Sequence, residues 1–245
     1  MARRLASVRG FPIRMSSPSA SFSADSPRFF FGLLRRRRCV LPTWRGWLGL
    51  LLCAGLAGVV ALRGAYRFLA VQDPVPGGVL ALEGWTDDTA LARAWAEYQR
   101  GGYVVWCVTG EPLEKGAPLS EYHDYAAMTV ATYEKMGGPR GVLHPVPWET
   151  VRRDRTYASA LALKAWLRER GLPAERINLM TTGAHARRSR LLYEKAFGPG
   201  SRVGVIATTE KDFDPEHWWN SSMGFRAMVG ELVAYAYARF LFRGQ

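Results

Sequence analysis

The chain has 245 residues, enough for one well-cored domain with appendages, and 48% hydrophobic against 22% charged residues excludes a wholly disordered chain. Its net charge of +12 is lopsided: residues 1–67 hold 12 arginines and one acid, Asp25, which leaves 21 basic and 20 acidic residues for 68–245. A nucleic-acid-binding domain carries its basic excess on the folded part, where it neutralises phosphates, so the near-neutral remainder excludes nucleic acid as the partner.

Taken in chain order, residues 1–27 are rich in Ser, Pro and Arg, and residues 1–43 read as a basic, disordered cytoplasmic tail, with Met15 an alternative start. The four arginines 35–38 precede an uncharged run from Trp47 to Leu62. Trp44 and snorkelling arginines extend that run to nearly the length needed to cross a bilayer as a helix, and a single transmembrane anchor is expected over 44–68. Trp44, Trp47 and Tyr66 stand where interfacial aromatics belong. Arginines cluster before the span and are sparse after it (Arg63, Arg67), so the positive-inside bias puts the N-terminus in the cytoplasm and the rest outside. A cleaved signal peptide is the competing reading, with small residues at Gly55-Leu56-Ala57, but the span runs apolar to Leu62 without a polar c-region. A buried core helix rarely follows four consecutive arginines. The cysteines, Cys39, Cys53 and Cys107, offer no disulfide framework.

After Pro74 and Pro76, the domain expected over 75–245 alternates short apolar runs with helical patterns. Strands are predicted at 79–82, 103–108, 142–146 (the weakest), 177–181 and 202–207. Helices are predicted at 86–100 with Thr86 as N-cap, from Ser120 to about 136, at 155–170, at 185–197 and from about 217 to 242. This alternation is the signature of βαβ units, and it predicts an α/β fold, a Rossmann-like three-layer sandwich with a mainly parallel sheet, preceded by one N-terminal transmembrane helix. Ligands of such sheets bind at the carboxyl ends of the strands. Those ends read Glu83-Gly84-Trp85, Thr109-Gly110-Glu111 and Thr182-Gly183-Ala184-His185, each with a glycine that either lets backbone approach a ligand closely or simply makes a turn. Neither a dinucleotide fingerprint nor a P-loop is present, and no motif identifies a cofactor.

Three stretches, SEYHDYAA, DRTYASALALKAWL and TTGAHARRSRLLYEKAFG, together resemble the YdcF/SanA/ElyC family of bacterial domains over roughly residues 77–242. The pattern Thr182, His185, Arg188 carries most of the likeness, with Ser120-Glu121 and Arg155-Thr156 beside it. The resemblance implies a Rossmann-like fold and, for the SanA- and ElyC-like members, a single inner-membrane span with the domain outside and a role in envelope or peptidoglycan integrity. The first strand's Glu83-Gly84-Trp85 ending and the HWWNSSMGFR stretch depart from the family pattern.

Among the candidates, His185 at a helix N-terminus feels the positive end of the helix dipole, which favours a neutral imidazole able to act as base, although a histidine that merely caps or packs fits the same place. Arg188, one turn on, offers a guanidinium fork for phosphate or carboxylate. Arg155 and Thr156 open a helix whose free amides suit an anion. Glu83 and Glu121 are candidate acids or bases, and Ser120 suits an N-cap better than a nucleophile because no elbow motif surrounds it. Gly84, Thr109, Gly110, Thr182 and Gly183 complete the expected ligand-binding set. No metal site is expected, because His123, His144, His185 and His217 are far apart and show no ligand spacing. Two functions follow: an envelope enzyme acting on a phosphorylated or lipid-linked precursor, or a noncatalytic envelope factor that binds a metabolite or partner in the same crevice.

Overall fold

The structure, a computed structural model, describes residues 28–29, 34–35, 41–114 and 116–244. The tail expected over 1–43 lies almost wholly outside them. A long helix, α1 (Trp44–Leu69), contains the division between two units, Met1–Leu51 and Leu52–Gln245. In the first unit a short antiparallel ladder pairs Arg28 with Arg35 and Phe29 with Leu34. The helix has 26 residues, about 39 Å at 1.5 Å per residue, and none of its most apolar window is buried. It is long and apolar enough to cross a membrane.

The second unit is built on five strands: β1 (Gly78–Glu83), β2 (Tyr103–Gly110), β3 (Leu143–Pro147), β4 (Arg176–Thr182) and β5 (Arg202–Thr208). All four pairings are parallel, in the order β3-β2-β1-β4-β5. The helices are α2 (Asp88–Gln99), α3 (Tyr125–Lys135), α4 (Arg155–Glu169), α5 (Ala186–Phe197) and α6 (Ser222–Ala236), the last extended by a π-helical turn, Tyr237–Leu241. This is the α/β Rossmann-like architecture expected, with a sheet that is wholly parallel.

The two faces follow from the period of a strand. Val79 and Ala81 of β1, Val105 and Cys107 of β2 and Ile177 and Leu179 of β4 pack on α4 and α5 with Leu163, Leu167 and Tyr193. The alternate residues Leu80, Leu82, Trp106, Val108 and Met180 pack on α2 and α3 with Leu91, Ala94 and Tyr133. Covered on both sides, the strands read as near-continuous apolar runs. Asn178 is buried in β4 and ties the incoming chain down, accepting from the Val75 amide at 2.8 Å and donating to the Val75 and Gly77 carbonyls at 2.8 and 2.9 Å.

Some local readings shift. Asp87, not Thr86, caps α2, its side chain accepting from the Ala90 amide at 2.8 Å. Asp124, not Ser120, caps α3, whose start is therefore four residues later than expected. The last helical stretch is broken: a 3-10 segment, Pro215–Asn220, precedes α6, and Ser221 caps the new start. Both acids beat nearby hydroxyls because a carboxylate meets the positive end of the helix more strongly.

Candidate functional site

The strand order reverses between β1 and β4, which leave the sheet centre in opposite directions. Their carboxyl ends therefore open a crevice that no crossover connection covers. A cavity of about 500 Å³ lies there. Glu83, Thr109, Gly110, Arg155, Thr156, His185 and Arg188 line it, so seven of the residues singled out from the sequence meet in one place. Gly84, Ser120, Glu121, Thr182 and Gly183 are outside the lining. Glu121 is exposed, and the Ser120 hydroxyl accepts from the Tyr122 amide within its own turn.

The glycines answer to packing. A Cβ on Gly84 would come within 2.8 Å of the Thr109 carbonyl oxygen, and one on Gly110 within 2.1 Å of the Ala126 amide nitrogen. Strand ends and the start of α3 are in backbone contact at these points, which only a residue without a side chain permits. Gly183, at φ 23°, faces the Tyr66 hydroxyl and the Glu210 carboxylate.

Glu83 is the last residue of β1 and, by strand period, points to the α4/α5 face like Val79 and Ala81. It is 2% exposed. Its carboxylate accepts from the Thr181 hydroxyl of β4 and lies 3.4 Å from the Ser189 hydroxyl of α5. Thr109, paired with Glu83 in the sheet register, points the same way. Its hydroxyl accepts from Ser159 of α4 at 2.9 Å, and Ser159 lies 3.1 Å from the Tyr193 hydroxyl, which burial pushes well above its ordinary pKa. These hydroxyls convert the interior end of the sheet from apolar to polar.

His185 and Arg188 stand at the start of α5, and both are held by Glu231 of α6. The Glu231 carboxylate receives His185 Nδ1 at 2.9 Å and two guanidinium nitrogens, Nε at 2.8 Å and Nη2 at 3.1 Å. Burial alone raises the Glu231 pKa, but the hydrogen bond and charge of His185, then those of Arg188, outweigh it and bring the carboxyl down to about 2. Burial likewise opposes the charge on Arg188, and Glu231, with Glu83 and Asp154 behind it, holds its pKa above the ordinary value. Because Nδ1 donates to Glu231, the neutral imidazole presents Nε2 as its acceptor. Nε2 lies 3.9 Å from Glu83 and 3.1 Å from Arg188 Nη2, and the Trp85 ring packs edge-on at 4.9 Å.

The other arginine is engaged as well. Arg155 bridges Glu111, a buried neighbour in the lining, and reaches Glu114 at 2.9 Å. Among the described residues the second Glu111 oxygen has no hydrogen-bond partner. Arg152 lines the cavity and forms no ion pair among the described residues. Asp154 precedes α4 with φ 56° and ψ 41°, the single non-glycine among the described residues at positive φ, and its side chain does not cap the helix. By helix geometry the Arg155 and Thr156 amides, ahead of the first intrahelical bonds, have no acceptor within α4, and both residues line the cavity.

Sequence reasoning missed Glu231, Glu111, Asp154, Arg152 and the Thr181–Ser189–Ser159 hydroxyls. Glu231 carried one usable signal: it is the lone acid in an otherwise apolar and basic final helix. Cys107 is no candidate nucleophile, since burial pushes its thiol up to about 12, Arg170 offsetting little. No group of three or more His, Cys, Asp or Glu side chains converges on a common point among the described residues. No family model matches this chain, and neither the curated proteins nor the solved structures yield a match.

Proposed function

We propose that this is a membrane-anchored envelope protein, resembling the YdcF/SanA/ElyC family, that binds a phosphorylated or glycan-lipid ligand in the crevice and acts on it with Glu83 and His185 as an acid–base pair. In this reading α1 crosses the bacterial inner membrane once, with the N-terminus cytoplasmic and the α/β unit outside. One observation carries the proposal: a buried carboxylate and an imidazole, 3.9 Å apart, face a cavity whose wall includes the amino end of a 15-residue helix. Free amides and Arg152, which forms no ion pair among the described residues, would receive the anionic group, while Nε2 of His185 takes or returns a proton.

A second reading, a noncatalytic factor that binds a metabolite or partner through the same crevice, draws on a different observation. Arg188 and Arg155 are already neutralised by Glu231, Glu111 and Glu114, as in a structural network. His185→Ala and Glu83→Gln separate the two in complementation of an envelope defect. The catalytic reading expects both variants to fold, by near-UV circular dichroism, and to lose complementation. Folded variants that complement fully would overturn it in favour of the binding factor. Mass spectrometry of material co-purifying with the full chain identifies the ligand, and a reporter fused after Gln245 that is active only in the cytoplasm would refute the topology.

A further inference from the structure

The C-terminal helix turns its apolar side chains in two directions. Met228, Leu232 and Tyr235 face inward against Ala65, Tyr66 and Leu69 of α1, with Trp218 and Phe213. Phe225, Val229 and Val233, spaced four apart, stand 51, 38 and 65% exposed, and Phe240 and Leu241 of the following π turn are 79 and 71% exposed. Three large apolar side chains in one row, with two more exposed just beyond them, are more than a soluble surface carries by accident.

Two features say what covers them. The first is position. The Trp218 indole donates to the carbonyl of Leu62 at 3.1 Å, and Leu62 is the last residue of the uncharged run in α1. Phe225 packs on Trp218 with ring centroids 6.0 Å apart. If α1 spans a membrane over 44–68, its outer end runs from Leu62 to Phe68, and Trp218 and Tyr235 meet it at those two residues, so α6 lies alongside that end. The second is charge. From Ser222 to Arg243 the exposed ionisable side chains are Arg226, Arg239 and Arg243, all cationic, while the one acid, Glu231, is turned inward to His185 and Arg188. Exposed Arg63 and Arg67 stand in the same end of α1. The acids of the preceding loop stand ahead of the helix, with Asp214 paired to His217 at 2.7 Å.

We infer that this face of α6 and the π turn rests on the bilayer that α1 crosses, burying Phe225, Val229 and Val233 among acyl chains while Arg226 and Arg239 meet anionic headgroups. The inference rests on the reading of α1 as a membrane span. It also gives the crevice a location, because Ala234, Tyr237 and Ala238 of the same segment line the cavity. A ligand held in the membrane by a lipid tail would then have its headgroup beside the cavity wall.

Collision-accessibility spectroscopy on the full chain tests it. Nitroxides are placed singly at Val229→Cys, Val233→Cys, Val59→Cys and Arg140→Cys, with Cys39 and Cys53 changed to Ser and buried Cys107 left in place. The chain is reconstituted in phosphatidylcholine vesicles with and without phosphatidylglycerol. Positions 229 and 233 should collide with oxygen more than with a water-soluble nickel chelate in the anionic vesicles. That preference should weaken without phosphatidylglycerol and in the Arg226→Gln, Arg239→Gln variant. Lipid-like access at 59 with water-like access at 229 and 233 overturns this inference alone. Water-like access at 59 overturns the membrane span itself, with 140 the aqueous reference. Spin–spin broadening at 229 and 233 would show a second copy on the face instead of lipid, which also overturns it.

Discussion

Replacing Glu231 by Gln tests the network that organises the crevice. The carboxyl falls from its ordinary value of 4.5 to about 2 because His185 and Arg188 together outweigh the cost of its burial. A shift of this size corresponds to about 3 kcal/mol of stability, at 1.36 kcal/mol per pKa unit. The side chain is only 19% exposed, so solvent screening does not erase it. The sign is that of a depressed acid: the stabilisation is complete above pH 4.5, where the unfolded carboxyl is ionised, and fades as pH falls towards 2. For a folded unit of this size, each kcal/mol moves the melting temperature by roughly 2–4 °C, so Glu231→Gln should lower it by about 6–12 °C at pH 7. Melting of the full chain in detergent, followed by tryptophan fluorescence, measures this, and the gap should narrow steadily below pH 4.5. Equal melting temperatures at pH 7, or a gap independent of pH down to 2, would refute the account of Glu231 as the counter-ion of Arg188 and the hydrogen-bond acceptor of His185.

Two further substitutions probe a strand end and the start of α4. Gly110→Ala places a Cβ 2.1 Å from the Ala126 amide nitrogen, a backbone atom that cannot rotate away, so the variant should lose cooperative melting, and a wild-type transition would contradict the packing role. Asp154→Gly relieves the left-handed backbone and should raise stability by about 1 kcal/mol, with denaturant midpoints as the readout. If the variant is instead less stable, the Asp154 carboxylate contributes a contact that outweighs its strain.

The alternation of apolar runs made the layers and the sheet legible, because a parallel sheet covered on both faces leaves long unbroken runs such as Val79 to Leu82. Strand period also placed Glu83 and Thr109, each one step beyond an apolar run, on the rim. The partners were not legible. Ser159 lies 50 residues from Thr109, Glu231 lies 46 from His185 and Thr181 lies 98 from Glu83, and such pairs form only once the crossovers fix which helix covers which strand. Capping was misread where a hydroxyl and an acid competed one to four residues apart: Thr86 lost to Asp87 and Ser120 to Asp124. The glycines after the strands were visible, but whether a ligand or a neighbouring backbone required them depended on where α3 begins.

The ionic pairing also constrains how any anion can bind. Arg188 gives its Nε and Nη2 to Glu231, leaving Nη1, which reaches only the Thr156 hydroxyl at 3.4 Å. A phosphate seeking the guanidinium fork would have to displace a carboxylate whose pKa of about 2 records how firmly it is held. The amides of Arg155 and Thr156 and the side chain of Arg152 present no such competition, and they belong to α4 and the turn before it rather than to the helix that follows His185. An anionic group anchored at the amino end of α4 would leave the reacting part of the ligand facing Nε2 and Glu83, where a proton can be exchanged. Under the proposed catalytic reading, the pairs that occupy Arg188 and Arg155 would favour binding at one helix terminus and proton transfer at the other, with Glu231 fixing the imidazole tautomer that such a transfer needs.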